Sequence, residues 1–255
     1  MSIFQSPRDL NGYFKTNPVS SVMIVIVSVV FLFQLLLNTV GINLTREGAI
    51  NFVLIYEYNE WYRLVTAIFL HGNLLHYLFN TFFGLYIIGA ALERLIGSKN
   101  YAITLVIAGL GSSIIVFLWD MISFYTLGDQ TAMLRFTIGA SGAIFGAMGF
   151  LFYLTIVKPH LFALQDISSI RGLILINVIF SFFGNISTSG HFGGLAMGMI
   201  TGAILTVVSP YKGKKKGFED PHNPYAQEAW ELEDLEDIFV VDDDDDDDDE
   251  DRRVW

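Results

Sequence analysis

The 255-residue chain contains no cysteine. A disulfide framework, a thiolate zinc site and a cysteine nucleophile are therefore excluded. Charge is also scarce, since only 16% of the residues are Asp, Glu, Lys or Arg, whereas about a quarter are charged in an average soluble domain. Together with a hydrophobic fraction of 53%, this deficit indicates a chain that lies largely in lipid.

The net charge of −11 is distributed unevenly along the chain. Residues 1–209 carry nine basic and eight acidic side chains, for a net charge of +1. Residues 210–255 carry six basic and 18 acidic side chains, for a net charge of −12, and include eight consecutive aspartates at 242–249. A like-charge run of this length cannot pack, so we predict an acidic, disordered cytoplasmic tail over 210–255. Its charge argues against nucleic acid as a partner.

The hydrophobic residues fall in six blocks, most of them near the roughly 20 residues that a helix needs to cross a bilayer. They predict an all-α, polytopic bundle of six transmembrane helices over residues 19–209, preceded by a cytoplasmic segment at 1–18. The first block has no clear cleavage site after it, which favours a retained helix over a signal peptide. The blocks span residues 19–40, 64–92, 101–122, 138–157, 172–184 and 190–208.

Loop charges predict the orientation of these helices. If the N-terminus is cytoplasmic, ten Lys and Arg residues lie in the inside segments and three lie in the outside loops. This excess predicts a multi-pass protein of the bacterial cell membrane with both termini in the cytoplasm. The second, fourth and sixth helices then run from the outside to the inside.

Polar side chains inside spanning helices are costly in free energy and are usually functional. The second block contains His71, His76 and Asn80, the fourth contains Ser141 and the sixth contains His191. At 1.5 Å rise per residue, all five fit in one layer roughly 5–15 Å below the outer surface. Taken alone, a residue such as His76 is equally well explained by a hydrogen bond between helices. The shared depth favours a catalytic site.

Glycines at steps of three or four residues form a small face on the fourth helix and another on the sixth. Such faces let helix backbones approach closely, and packing alone accounts for most of them. Close approach is also what a serine–histidine hydrogen bond across two helices requires. The two faces consist of Gly142, Gly146 and Gly149, and of Gly194, Gly198 and Gly202.

Ser141 and His191 are the predicted catalytic pair. A hydroxyl becomes a good nucleophile when a base takes its proton, and imidazole accepts and returns a proton near neutral pH. No carboxylate flanks either residue, and Glu93 lies at the cytoplasmic end of the second helix. We therefore expect packing to orient the dyad, with Phe145, one turn below Ser141, stacked on the imidazole.

A tetrahedral intermediate also needs hydrogen-bond donors for its oxyanion. The backbone N–H of Ser141 and the side chains of His76 and Asn80 are the predicted donors. Gly139 and Gly142 flank the nucleophile and leave its N–H open to a substrate oxygen. Deacylation requires water, so we expect a cavity open to the outside, and no metal or cofactor enters this chemistry.

Together, these motifs resemble the rhomboid intramembrane serine proteases over about residues 60–208. The nucleophile segment resembles the family's Gly-x-Ser-Gly motif, and the sixth helix resembles its His-x-x-Gly-x-x-x-Gly motif. The second block matches the family's pattern on that helix, and two further pairs resemble its aromatic–Arg and acidic–basic pairs. The matching residues are Gly139, Ser141 and Gly142; His191, Gly194 and Gly198; His71, His76 and Asn80; Tyr62 and Arg63; and Glu93 and Arg94.

The resemblance implies a six-helix core that cleaves single-span membrane proteins near their outer membrane boundary, after small residues. It implies that the fifth helix and the 185–190 loop gate and cap the dyad. It also implies that the first loop, about 41–63, lies partly in the outer leaflet and is supported by Arg63, with His71 behind the site. Many members have Tyr at the position of Phe145, so stacking is retained here but a hydroxyl is absent.

Two other functions are also compatible with the sequence. An inactive rhomboid-like protein would bind membrane clients without cutting them, although such proteins typically lack the serine or the histidine. A small transporter would also place polar residues within the membrane, but an ion-coupled one would usually show carboxylates at mid-depth.

Overall fold

The computed structural model of the protein describes residues 3–4, 9–183 and 186–208. Within these ranges the backbone is helical, with one isolated antiparallel bridge between Ile50 and Thr137 and no sheet. This confirms the predicted all-α fold. The predicted acidic tail lies outside the described residues, and so do most of the first eight residues.

Ten helices in the described ranges carry the labels used below. The sixth of them passes through a stretch of π-helical hydrogen bonding over Phe79–Gly89. The helices are α1 (Leu10–Thr16), α2 (Pro18–Thr39), α3 (Leu44–Gly48), α4 (Phe52–Tyr58), α5 (Arg63–Thr66), α6 (Leu74–Ile96), α7 (Ser98–Tyr125), α8 (Ser141–Val157), α9 (Leu164–Phe180) and α10 (Thr188–Val208).

Four of the described helices, α2, α6, α7 and α10, are long and apolar enough to cross a membrane. The outward surfaces of these helices carry large exposed apolar side chains such as Leu36, Val106 and Ile204. An apolar exterior of this extent is typical of a protein surrounded by lipid. The chain is therefore a multi-pass membrane protein. The helix α8 is also apolar but has 17 residues.

Each predicted block corresponds to a helix, with most ends within about four residues, but the predicted starts of the second and fifth blocks are wrong. The second block is interrupted before Leu74, where the side chain of Asn73 caps α6 by accepting a hydrogen bond from the His76 N–H at 2.8 Å. His71 therefore precedes α6 instead of lying in it. The fifth helix begins at Leu164 and not near Gly172, because its first turns contain polar residues that end the hydrophobic block.

The helix α8 lies at the centre of the bundle, with every residue from Gly142 to Leu151 buried. It packs against α10 through glycines, since a Cβ at Gly198 would run into the carbonyl oxygen of Gly146. A Cβ at Gly194 would likewise run into the carbonyl oxygen of Gly142. The two helices thus touch backbone to backbone, and their N-terminal turns lie side by side.

Polar contacts tie α2 to both ends of α6. The side-chain amide of Gln34 donates to the His71 carbonyl at 3.1 Å and accepts from the His71 N–H at 3.0 Å. At the other end, the buried Glu93 carboxylate accepts from the N–H groups of Val19 and Ser20, each at 2.8 Å. The helix α2 therefore holds the segment that precedes His76 in place.

The loop between α2 and α6 folds around a buried guanidinium. Arg63 donates to the carbonyls of Arg46 and Ala49 at 2.8 and 3.0 Å, and its Nε lies 2.5 Å from Glu60 Oε2. An arginine offers several donors in a fixed planar fork, so one side chain satisfies carbonyls that helix ends leave unpaired. Arg63 thus ties the end of α3 to Glu60, which follows α4.

Candidate active site

Ser141 is the first residue of α8, and the chain before it is held by the loop between α2 and α6. Gly139 adopts φ 124°, a conformation that other residues rarely tolerate, and its N–H donates to the Ala67 carbonyl at 2.8 Å. Thr137 exchanges two backbone hydrogen bonds of 2.9 Å with Ile50. The loop thus sets the position of the hydroxyl at the end of a buried helix.

His191 lies in the first turn of α10, opposite the first turns of α8. Its imidazole stacks on Phe145, with ring centroids 3.9 Å apart and an interplanar angle of 18°. Helical side chains lean toward the N-terminus, so the Phe145 ring covers the turn that begins with Ser141. The predicted base and the predicted stacking ring are therefore in contact at the α8–α10 interface, one helical turn from Ser141.

In the described part of the chain, no hydrogen bond joins Ser141 Oγ to His191. The imidazole instead places Nδ1 2.6 Å from the Oγ of Ser181, which follows α9. Catalytic hydrogen bonds are often long without substrate and tighten when it binds. The sequence did not predict Ser181, because a lone serine at the end of an apolar helix carries no distinguishing signal.

His76 lies against Gly139, two residues before Ser141. A Cβ added at Gly139 would come within 2.8 Å of His76 Nε2, so only glycine leaves room for the ring. His76 Nδ1 accepts from the Gly72 N–H at 3.4 Å, and this assigns the proton of the neutral ring to Nε2. The side chain thus presents an N–H at Gly139, near Ser141.

Asn80 is buried one turn below His76 on α6. Its Nδ2 donates to the His76 carbonyl at 2.9 Å, which uses one of the two N–H bonds of the amide. His71 lies behind His76, with ring centroids 5.1 Å apart, and packs edge-on against Phe31 and Tyr77. His71 thus contacts the ring of His76 and supports it from outside the site.

The third of the long helices, α7, completes the surroundings of Ser141. Ser112 donates to the Gly190 carbonyl at 2.8 Å, and a Cβ at Gly142 would collide with its side chain. A small pocket beside Ser141 is also lined by Ser113 and Ser187. Hydroxyl groups in that pocket can hold water beside the nucleophile, and the sequence had not pointed to α7 for this role.

A carboxylate that the sequence analysis did not single out, Asp120, anchors the loop that leads to α8. It is buried near the end of α7 and lies 2.9 Å from Arg135 Nη1, while the other terminal nitrogen of Arg135 pairs with Asp129. The hydrogen bond to Asp120 raises the pKa of Arg135. A hydrogen bond from the Thr131 hydroxyl lowers the pKa of Asp129. The network ties the end of α7 to the loop that leads to α8.

Among the residues that the structure describes, no group of three or more His, Asp or Glu side chains is arranged to hold a metal ion. The chemistry available from Ser141, His191 and the nearby donors is nucleophilic attack assisted by a general base.

Comparisons with known proteins point to one family. The Rhomboid domain model matches residues 58–207. The chain is 36% identical to rhomboid protease GluP of Bacillus subtilis over 147 residues, 57% of this chain and 26% of GluP. It is 32% identical to RHOMBOID-like protein 5 of Arabidopsis thaliana over 171 residues, 66% of this chain and 51% of that protein.

A shorter relative is matched nearly from end to end. The chain is 25% identical to putative rhomboid protease YdcA of Bacillus subtilis over 199 residues, 78% of this chain and 94% of YdcA. It spans only about a quarter of GluP and about half of RHOMBOID-like protein 5. Since the domain model covers more than half of its length, the chain belongs to the rhomboid family.

Proposed function

We propose that this protein is an intramembrane serine endopeptidase that cleaves transmembrane segments of other membrane proteins. The observation that carries the proposal is the stack of His191 on Phe145, which holds an imidazole over the helix turn that begins with Ser141. Relatives named rhomboid proteases support it.

The mechanism follows from the roles of these groups. Ser141 Oγ attacks the carbonyl carbon of the scissile bond while His191 takes the hydroxyl proton. His191 then donates that proton to the leaving amine, and the C–N bond breaks to give an acyl-enzyme on Ser141. Water, deprotonated by His191, attacks the acyl carbon; His191 then returns the proton to Ser141 Oγ as the acyl C–O bond breaks, which releases the new carboxyl terminus. The Ser141 N–H, His76 and Asn80 hold the developing oxyanion.

The proposal extends to topology and domains. All six long helices (α2 and α6–α10) cross the membrane, the termini lie in the cytoplasm of a bacterial cell, and 19–209 forms the protease domain between a cytoplasmic segment and an acidic tail. The 17 residues of α8 span about 25 Å, which is somewhat less than the roughly 30 Å of a bilayer's hydrocarbon core. The proposed cap at 185–190 begins outside the described residues.

The direct test is labelling of the purified protein with a fluorescent fluorophosphonate, which requires no known substrate. We expect wild type to be labelled, and Ser141→Ala and His191→Ala to remain unlabelled, because the probe reacts with a serine that a base has activated. Equal labelling of Ser141→Ala would assign the nucleophile elsewhere. A folded wild type that neither reacts nor cleaves substrates in liposomes would instead be a client-binding protein.

The oxyanion proposal predicts a smaller loss. Asn80→Ala should lower kcat by about 100-fold, the usual effect of removing one oxyanion donor, with His76 still donating. Asn100→Ala is the matched control, since Asn100 also donates to the carbonyl four residues earlier, at 3.1 Å, but lies far from Ser141 along α7. Cleavage of a reconstituted substrate measures both. Equal losses of folding and kcat in Asn80→Ala would make Asn80 structural.

A further inference from the structure

We propose that Ser181 is a positioning residue for His191. It holds the imidazole with its proton on Nδ1, so that Nε2 is the unprotonated nitrogen available to Ser141. This inference rests on the proposed function, because it concerns how the base of the dyad is oriented.

The hydrogen-bond directions follow from counting protons. Ser181 Oγ lies 2.8 Å from the Asn177 carbonyl, which can only accept, so the hydroxyl donates there. A hydroxyl has one proton to give. Its contact of 2.6 Å with His191 Nδ1 must then be one in which the ring nitrogen donates. A neutral imidazole with Nδ1–H has a free lone pair on Nε2, as a general base requires.

The backbone of Ser181 is also held, so the hydroxyl has little freedom to leave this arrangement. The residue is 2% exposed. Its N–H donates to the Asn177 carbonyl at 3.0 Å, and its carbonyl accepts from the hydroxyl of Thr188, the first residue of α10, at 2.7 Å. Ser181 therefore links the end of α9 to the start of the helix that carries His191.

The contact occupies the place that a carboxylate holds in three-membered serine protease sites, where the group behind the histidine fixes its tautomer and orientation. Within the described residues, no carboxylate forms a hydrogen bond or ion pair with His191. A hydroxyl that is itself hydrogen-bonded supplies the orientation without burying a charge.

An alternative explanation is that Ser181 only bonds back to its own helix, as serines in apolar helices often do. Ser169 on α9 shows that pattern, because its Oγ donates to the Gln165 carbonyl at 2.8 Å and it has no contact with His191. Ser181 makes the same backbone bond and also contacts the imidazole. The two serines thus form a matched pair for experiment.

The experiment uses the full-length protein, reconstituted with a transmembrane substrate, and compares Ser181→Ala, Ser181→Thr and Ser169→Ala. Loss of one orienting hydrogen bond should lower kcat about tenfold in Ser181→Ala with KM unchanged. Ser181→Thr keeps the hydroxyl and should recover activity, and Ser169→Ala should match wild type.

The decisive measurement is the tautomer of His191, read from nitrogen-15 chemical shifts of histidine-labelled protein. The chain has five histidines, so the His191 signals can be assigned by their loss in His191→Gln. Wild type should show a protonated Nδ1, and Ser181→Ala should shift the proton toward Nε2. A wild type with unprotonated Nδ1, or a Ser181→Ala variant with unchanged shifts and kcat, would overturn the proposal.

These outcomes separate the two proposals. The tautomer is measured without substrate, so a protonated Nδ1 in a wild type that neither reacts with fluorophosphonate nor cleaves substrates in liposomes would support the role of Ser181 and contradict the protease. A wild type that is labelled by fluorophosphonate but has an unprotonated Nδ1 would support the protease and contradict the role of Ser181.

Discussion

Alanine at Ser141 is expected to lower the rate of substrate cleavage in liposomes by about four to six orders of magnitude. Removal of the nucleophile or the base of a serine protease costs this much, and the remaining activity comes from binding and oxyanion stabilisation. His191→Ala should produce a loss of similar size, and the double variant should be no worse than either one, because the two residues act as a unit. Single-turnover cleavage of a fluorogenic transmembrane substrate measures all three variants.

Ser98→Ala provides the matched control for Ser141→Ala. Ser98 is also the first residue of a helix, and it follows a glycine with a positive φ of 80°. Like Ser141→Ala, the substitution removes a serine hydroxyl from the first residue of a helix, but at the opposite end of the bundle. Ser98→Ala should cleave at the wild-type rate. Cleavage retained in Ser141→Ala would eliminate the proposed mechanism.

Alanine at Gly198 is expected to destabilise the bundle strongly. The added methyl group would point into the carbonyl oxygen of Gly146, and a backbone atom cannot move aside as a side chain can. Overpacking usually lowers the free energy of unfolding by about 1–3 kcal/mol, and this site should reach or exceed the upper value. The α8–α10 contact that brings Ser141 and His191 together should widen, so activity should fall in parallel.

The control for Gly198→Ala is Gly172→Ala on α9. A Cβ at Gly172 would meet nothing within 4 Å, so the substitution should leave stability unchanged or raise it by about 0.5–1 kcal/mol through helix propensity. Thermal unfolding in mild detergent compares the two variants with wild type. Equal midpoints for the two variants would show that α8 and α10 do not touch backbone to backbone at Gly198.

The all-α fold could be predicted, and candidate site residues could be proposed, because apolar blocks and the polar residues within them are visible in the sequence alone. A polar residue in an apolar run, such as Asn80 or Ser141, is visible wherever the helix packs. Glycines at steps of four, such as Gly194 and Gly198, mark a helix face before its partner is known.

Other features depend on specific side-chain contacts, which the hydropathy pattern does not record. The break before Leu74 was hidden because hydropathy records side chains, whereas the break depends on capping by Asn73. The role of Asp120 depends on Arg135, fifteen residues later, and reads in the sequence as an isolated charge. The contact of Ser181 could not be predicted because it forms only where α10 places His191 Nδ1 2.6 Å from Ser181 Oγ.

The contacts of α2 determine how far the chain can be shortened. The match to the Rhomboid domain begins at residue 58. A fragment starting there would lack Gln34, which bonds to His71, and the N–H groups of Val19 and Ser20, which donate to the Glu93 carboxylate. Unpaired polar groups within a bilayer cost several kcal/mol each. Asn17 also accepts from Arg94 at 2.8 Å. The smallest autonomous unit that preserves the site therefore begins no later than Asn17, some forty residues before the family's signature becomes recognisable.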